Sequence, residues 1–96
     1  MSTKEEIQLR REEILLAATR HGAGNVGLFG SLARGEETSA SDIDFLIDVT
    51  GKTTPWFPAS LIVDLEELLH RPVHIVIRRS LSLLSRETVL REAVPL

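Results

Sequence analysis

Two short polar segments of this chain could do chemistry together. The first is a small-residue turn, GSLARG at residues 30–35, which follows an apolar run. The second is a pair of aspartates, Asp42 and Asp44, which begins seven residues after that turn. Glycine lets backbone amides approach an anion closely, and paired carboxylates supply the hard oxygen ligands that Mg²⁺ prefers. Together the two segments predict a site for phosphates and a divalent cation.

The two aspartates lie at the start of a predicted strand, residues 43–49. Since side chains alternate along a strand, Asp42 and Asp44 are expected to share one face, roughly 6–7 Å apart. A metal held there can bridge phosphates and offset the charge that develops as a phosphoryl or nucleotidyl group moves.

The turn supplies the residues expected to hold the phosphates. Gly30 allows close approach of the backbone, and Ser31 adds a hydroxyl at the start of a short predicted helix. Arg34, one turn later, either reaches a phosphate or pairs with Glu36 or Glu37. The predicted nucleotide-binding residues are therefore Gly30, Ser31 and Arg34.

The pattern of apolar residues predicts an α+β fold, a small mixed sheet with helices packed mainly on one face. A helix of ten or more residues between the last two strands indicates a crossover rather than a hairpin. The predicted helices cover residues 4–20, 31–34, 58–70 and 81–92, and the predicted strands cover residues 25–29, 43–49 and 73–77.

Size and composition limit the classes of protein that fit. The 96 residues predict a single domain, 1–96, and the absence of cysteine excludes disulfides and thiolate metal sites. The net charge of −3 and only four aromatic residues argue against a dedicated nucleic-acid binder. No apolar run approaches the ~20 residues of a membrane helix, and the charged N-terminus lacks a signal-peptide pattern. These features predict a cytoplasmic protein with no membrane association.

The turn at 30–35, combined with SDIDFLI at residues 41–47, resembles the signature of the minimal nucleotidyltransferases. These are small members of the DNA polymerase beta superfamily, and the resemblance extends to the C-terminal segment 90–96. It implies a polymerase-beta-like palm fold that transfers a nucleoside monophosphate, usually AMP from ATP, to an acceptor hydroxyl. Two Mg²⁺ ions would be held at Asp42 and Asp44, with the triphosphate at Gly30 and Ser31.

The same resemblance implies a biological partner. Many members of this family look like antitoxins that are encoded beside a helical toxin of the HEPN class. Some of them inactivate that toxin by adding AMP to one of its tyrosines. A single small domain has no room for a second domain that holds the acceptor, so a separate protein is expected to supply the acceptor hydroxyl. A homo-oligomer is also plausible for so small a domain.

His74 departs from the family pattern. Family members usually carry a third acidic residue on the strand after the amphipathic helix, where this chain reads VHIV at residues 73–76. Three alternatives stay open. His74 acts as a metal ligand or a base, the site binds nucleotide with little or no turnover, or Asp48 or Asp64 supplies the missing acid. Asp48 lies about 13 Å along the strand from Asp44, too far to bind the same ion.

Two main functional hypotheses follow, and whether the protein is an enzyme is left open between them. A third, transfer to a small molecule or an RNA end, is disfavoured by the acidic composition and the lack of aromatic stacking positions. In the first, Asp42, Asp44 and His74 are catalytic, and the protein adenylylates a HEPN-type toxin. In the second, the site is degenerate, and the protein neutralises its partner by binding alone.

Other notable residues have ordinary structural explanations. His21 falls at a predicted helix C-terminus, where a histidine caps carbonyl groups. Arg78 and Arg79 are predicted to form a solvated edge, with contact to an acidic partner as the alternative. Trp56 and Phe57 lie in a proline-containing loop, as either a lid over the core or an anchor for a partner.

Overall fold

The predicted succession of helices and strands is present in the computed structural model, which describes residues 3–36 and 42–96. In these two ranges the elements in chain order are α1 (Thr3–Leu9), α2 (Arg11–Arg20), β1 (Ala23–Phe29), α3 (Gly30–Arg34), β2 (Ile43–Val49), α4 (Ala59–Leu69), β3 (Val73–Ile77), a 3₁₀ helix (Arg78–Ser80), α5 (Leu83–Glu92) and β4 (Val94–Pro95).

The strands form one mixed sheet in the order β3-β2-β1-β4. β1 is antiparallel to β2 and to β4, whereas β2 and β3 are parallel and are joined by the α4 crossover. A parallel pair needs a connection long enough to return the chain to the same end of the sheet, and α4 provides it. The predicted α+β fold with a mixed sheet is confirmed.

The two faces of β2 have different surroundings. Ile43, Phe45 and Ile47 point to one face and are at most 1% exposed, in a core shared with residues of α1, α2 and α4. Each such buried side chain contributes about 1.5–3 kcal/mol through the hydrophobic effect. The alternation of side chains therefore directs Asp44 and Asp48 to the opposite face of the sheet.

The boundaries of several elements differ from the prediction. The predicted helix 4–20 is interrupted at Arg10 (φ −101°, ψ 16°), and Ile7 and Ile14 on either side of this turn are fully buried. No glycine or proline marks this break in the sequence. Packing on the core, rather than local helix propensity, therefore determines where the helix is interrupted. The last helix begins at Leu83 instead of residue 81, since Ser82 caps it by accepting a hydrogen bond from the Ser85 amide at 3.3 Å.

The structure adds two short elements and shows how the loop before α4 packs. The 3₁₀ helix and the two-residue strand β4 were not predicted. In the loop before α4, Phe57 packs against the core as a lid, whereas Trp56 is 76% exposed.

No helix in residues 3–36 or 42–96 combines the length and apolar character that a membrane crossing requires.

Arg78 contradicts its predicted place on a solvated edge. Its Nη1 donates a hydrogen bond to the carbonyl oxygen of Asn25 at 2.5 Å and lies 3.3 Å from Oδ1 of Asp48. Asn25, at a bulge in β1 with φ +50°, donates from Nδ2 to Oδ2 of Asp48 at 2.8 Å. The hydrogen bond from Asn25 and then the contacts with Arg78 lower the pKa of Asp48. Arg78 thus ties the end of β3 to β2 and β1.

We expect Arg78→Met to lower the free energy of unfolding by about 1–3 kcal/mol, because it removes charge-assisted hydrogen bonds but retains the apolar stem. Arg79→Met is the matched control, since Arg79 is exposed and its replacement should change stability by less than about 0.5 kcal/mol. Urea denaturation of the two variants measures the difference. Equal losses would contradict the role assigned to Arg78.

Candidate active site

The sheet brings the predicted site residues to one of its ends. Because β1 and β2 are antiparallel, the end of β1 lies beside the start of β2, where Phe29 pairs with Asp44. Because β2 and β3 are parallel, the same Asp44 pairs with His74 on the other side. The turn that starts at Gly30 therefore meets Asp44 and His74 at this end of the sheet.

Gly30 lies against the carboxylate of Asp44. Its φ of +75° is in the left-handed region, and a Cβ atom placed on it would overlap Oδ2 of Asp44 and lie 3.2 Å from its Cγ. Only glycine allows this approach of backbone to carboxylate. The juxtaposition predicted from the GSLARG turn and the aspartate pair is thus present, with half-buried Ser31 next to Gly30.

His74 belongs to the same cluster. Its Nε2 lies 2.7 Å from Oδ2 of Asp42, and the two side chains are 62% and 44% exposed. His74 is therefore in hydrogen-bonding contact with one of the predicted metal-binding carboxylates, and solvent reaches both groups.

The carboxylate of Asp44 is partly buried. Burial is the main cause that raises its pKa, and the neighbouring charge of Asp42 acts in the same direction. Electrostatic interactions with His74 and Arg34 act in the opposite direction on this pKa. An ionised Asp44 has thus lost part of its hydration, so a cation bound there would restore favourable interactions.

Arg34 is engaged with two glutamates. Its Nε donates to Oε2 of Glu36 and its Nη1 to Oε2 of Glu92, both at 3.0 Å. Pairing with Glu36 was one of the predicted alternatives, whereas pairing with Glu92 was not foreseen because that residue is 58 positions away. Glu37 and Ser41, also named from the sequence, lie outside the described residues. A contact of Arg34 with phosphate stays a prediction.

Neither Asp48 nor Asp64 supplies a third acid, so that alternative is wrong. Asp48 pairs with Gly24 at the other end of the β1–β2 ladder. Asp64, on α4, accepts a hydrogen bond at 2.6 Å from Nε2 of His21, which precedes β1. Both acids are held by partners at the end of the sheet away from Gly30.

His21 ends α2 as predicted, but its side chain has an additional role. It joins α2 to α4, with Nε2 on Asp64 and Nδ1 at 3.2 Å from the hydroxyl of Ser60. The sequence offered one signal for this link, since Ser60 and Asp64 are four residues apart and so share a helix face.

The donor set suits a metal that arrives with a nucleotide. In the part of the chain that is described, no three His, Cys, Asp or Glu side chains are grouped so as to hold a metal ion by themselves. Mg²⁺ commonly uses only one or two protein carboxylates and completes its shell with water and substrate phosphates. Asp42 and Asp44 fit that requirement, with the Gly30 turn beside them.

Comparison with known proteins identifies the family. Residues 11–96 match the nucleotidyltransferase domain family. The chain belongs to this family. The resemblance stated from the two motifs is confirmed.

Individual relatives span nearly the whole chain. The protein adenylyltransferase MntA of Thermococcus cleftensis is 38% identical over 99 residues, covering 98% of this chain and 96% of its own. A solved structure described as a candidate minimal nucleotidyltransferase is 45% identical, with a TM-score of 0.85 and coverage of 100% of this chain and 97% of its own. A toxin-antitoxin structure with AMP-PNP shares the fold at 23% identity, with a TM-score of 0.67 and coverage of 99% and 72%.

We expect Gly30→Ala to abolish Mg²⁺-dependent binding of AMP-PNP, because the new methyl group displaces the carboxylate of Asp44. Gly35→Ala is the matched control, since its φ of +74° is nearly the same but no atom of the described residues lies within 4 Å of the added atom. Both variants should lose about 1–2 kcal/mol of stability from the left-handed backbone. Calorimetric titration of both variants separates the shared strain from the displaced carboxylate. Unchanged binding by Gly30→Ala would contradict the assignment.

The two aspartates of β2 with shifted pKa values should have opposite effects on stability. The raised pKa of Asp44 means that folding favours its protonated form, so the associated stability is present at low pH and lost as pH rises through the folded pKa. The lowered pKa of Asp48 means that its stability is present at neutral pH and lost as pH falls through the folded pKa.

In chelator-treated protein at pH 7, Asp44→Asn should therefore raise the melting temperature and Asp48→Asn should lower it. Both differences should shrink as the pH falls below about 4, the usual carboxyl range. Thermal unfolding across this range measures both effects. A destabilised Asp44→Asn at neutral pH would show that burial is not the dominant influence on that carboxylate.

Proposed function

We propose that this protein transfers AMP from ATP to a hydroxyl group of a partner protein. The observation that carries the proposal is the fit of the Asp44 carboxylate against Gly30, with Asp42 directly before the same strand. Nucleotidyl transfer requires phosphates to lie beside carboxylates that bind a cation, and this arrangement supports the proposal that Gly30, Asp42 and Asp44 serve in this way.

The relatives support the choice of AMP and of a protein acceptor. The similar MntA protein is a protein adenylyltransferase, and a neighbour in fold is a toxin-antitoxin structure with AMP-PNP. We extend this to the present chain as an antitoxin that acts on a HEPN-type toxin, with a tyrosine as the acceptor. The cytoplasm, where ATP is available, is the proposed location.

Each group of the site has a proposed role. Gly30 admits the triphosphate to the backbone, Ser31 contributes its hydroxyl, and Asp42 and Asp44 would hold Mg²⁺. When bound, that metal would neutralise charge on the phosphates during transfer. Arg34 is near enough to influence Asp44 electrostatically, and it can contact a phosphate after exchanging a glutamate partner.

His74 is the proposed base. In the transfer, the acceptor oxygen forms a bond to the α-phosphorus while the bond from that phosphorus to pyrophosphate breaks. The proton of the acceptor hydroxyl passes to the neutral imidazole of His74, whose side chain is 62% exposed and so accessible to a separate protein. Asp42, 2.7 Å from Nε2, orients the ring and stabilises the imidazolium that forms.

The same contact favours a second candidate function. A protonated His74 that pairs with Oδ2 of Asp42 occupies an oxygen needed by a metal and places positive charge where the cation would bind. In that state the protein would bind its toxin and neutralise it by occlusion, without transfer of AMP.

Transfer from ATP labelled at the α-phosphate tests the proposal, with Mg²⁺ and the purified product of the adjacent gene as acceptor. Asp44→Asn should reduce labelling at least about 100-fold, because charge stabilisation at the reacting phosphate is lost. Asp48→Asn, on the same strand, is the control and should retain labelling. His74→Asp should retain or increase transfer, since a carboxylate supplies both a base and a metal ligand.

The outcomes separate the two candidates. Labelling that depends on Asp44 supports transfer. No labelling, together with toxin neutralisation that survives the double change Asp42→Asn and Asp44→Asn, supports occlusion. If the His74→Asp variant then transfers AMP although the unmodified protein does not, His74 is the residue that makes the site inactive.

A further inference from the structure

Helix α5 exposes apolar side chains that the fold does not use. None of its residues is buried, although the sequence LLSRETVLRE contains three leucines and a valine. Leu83 and Leu84 are 88% and 95% exposed, and Leu90 is 44% exposed. Isolated exposed leucines are common, but a ten-residue helix gains little stability without packing an apolar face. The exposed leucines therefore indicate a surface that another molecule covers.

The leucines form a stripe rather than a scatter. Leu83 and Leu90 are seven residues apart, which places them on one side of the helix, two turns from each other. Arg86 lies between them at the i+3 position of the same side. Leu84 widens the stripe at its N-terminal end. Leu83 and Leu90 repeat at the seven-residue distance found in helix-binding seams, with Arg86 between them in place of an apolar residue.

The surrounding charge indicates the chemistry of the partner. Most charged residues in this part of the chain have partners: Arg78 lies on Asp48, Arg91 pairs with Glu87, and Glu92 pairs with Arg34. Arg86 is exposed on α5, and exposed Arg79 precedes Leu83 by four residues. These two arginines give the N-terminal half of α5 a local excess of positive charge. An acidic partner surface complements this region.

Helix α5 also leads to the candidate active site. Its last residue, Glu92, accepts a hydrogen bond at 3.0 Å from Arg34, on the short helix that follows Gly30. Helix α5 packs against that helix as well. From Leu83 to Glu92 the helix spans about 14 Å, so a protein lying along α5 reaches from the exposed leucines to the site.

We propose that α5 is the docking surface for the acceptor protein. The surface consists of Leu83, Leu84 and Leu90 with Arg79 and Arg86, and it binds a helix that combines an apolar stripe with acidic flanks. This inference rests on the proposed function in one respect, that the acceptor is a protein. The binding step is measured separately from transfer.

The test uses the full-length protein and the purified product of the adjacent gene. Leu83→Asp combined with Leu84→Asp should weaken binding at least 10-fold, because the change places two carboxylates in an apolar seam that faces acidic side chains. The KM for the acceptor should rise by a similar factor, whereas kcat and the affinity for Mg²⁺·AMP-PNP stay unchanged. The melting temperature should also be unchanged, since neither leucine is packed.

The matched control changes two exposed leucines near the N-terminus of the chain. Leu9→Asp combined with Leu16→Asp makes the same chemical change at leucines of α1 and α2 that are 71% and 59% exposed. This variant should bind the acceptor as the unmodified protein does. Arg79→Glu combined with Arg86→Glu should slow association and reduce its dependence on salt, because steering by the basic surface is reversed.

Each result supports or overturns the proposal. Binding that resists the Leu83 and Leu84 changes, or no binding by the unmodified protein, overturns it. A dimer of the protein alone in sedimentation, dissociated by these same changes, assigns α5 to self-association and also overturns it. Binding that is sensitive to Leu83 and Leu84 without any transfer supports the docking surface and rejects the proposed activity.

Discussion

The candidate site depends on one close approach, that of the Gly30 backbone to the carboxylate of Asp44. The left-handed φ of Gly30 and the absence of a Cβ atom allow the turn to lie on that carboxylate. A Cβ atom at position 30 would overlap Oδ2 of Asp44, so the carboxylate would have to move away from the turn. Because neighbouring strands hold both groups, the rigidity of the sheet maintains the approach.

Side chains alternate along β2, so one face of this strand contributes to stability and the other carries residues of the candidate site. One face of β2 is fully buried in the core, while the other carries Asp44 and Asp48 on either side of buried Leu46. Those two carboxylates have pKa values shifted in opposite directions, because Asp44 loses hydration and Asp48 gains hydrogen bonds from Asn25 and Arg78. One aspartate therefore stabilises the fold at neutral pH, while the other carries a cost that a bound cation would relieve.

His74 and α5 both bear on the proposed approach of an acceptor. His74 is exposed and in contact with Asp42, and in the proposed function its protonation state would distinguish a transferase from a purely binding protein. Helix α5 contributes little to the core, but the hydrogen bond from Arg34 to Glu92 joins it to the candidate site. Both features are understandable if the acceptor is a second protein that completes the site.

The sequence alone determined the fold class, the order of the main elements and the placement of Gly30, Asp42 and Asp44 at strand ends, because hydrophobic period and turn residues are local signals. The family resemblance followed from the same motifs. Tertiary structure alone decided the break at Arg10, the engagement of Arg78 with Asp48, the pairing of Arg34 with Glu92 and the exclusion of Asp64 from the site. These features depend on contacts between distant residues, and such contacts exist only after the sheet has fixed which ends of the strands meet.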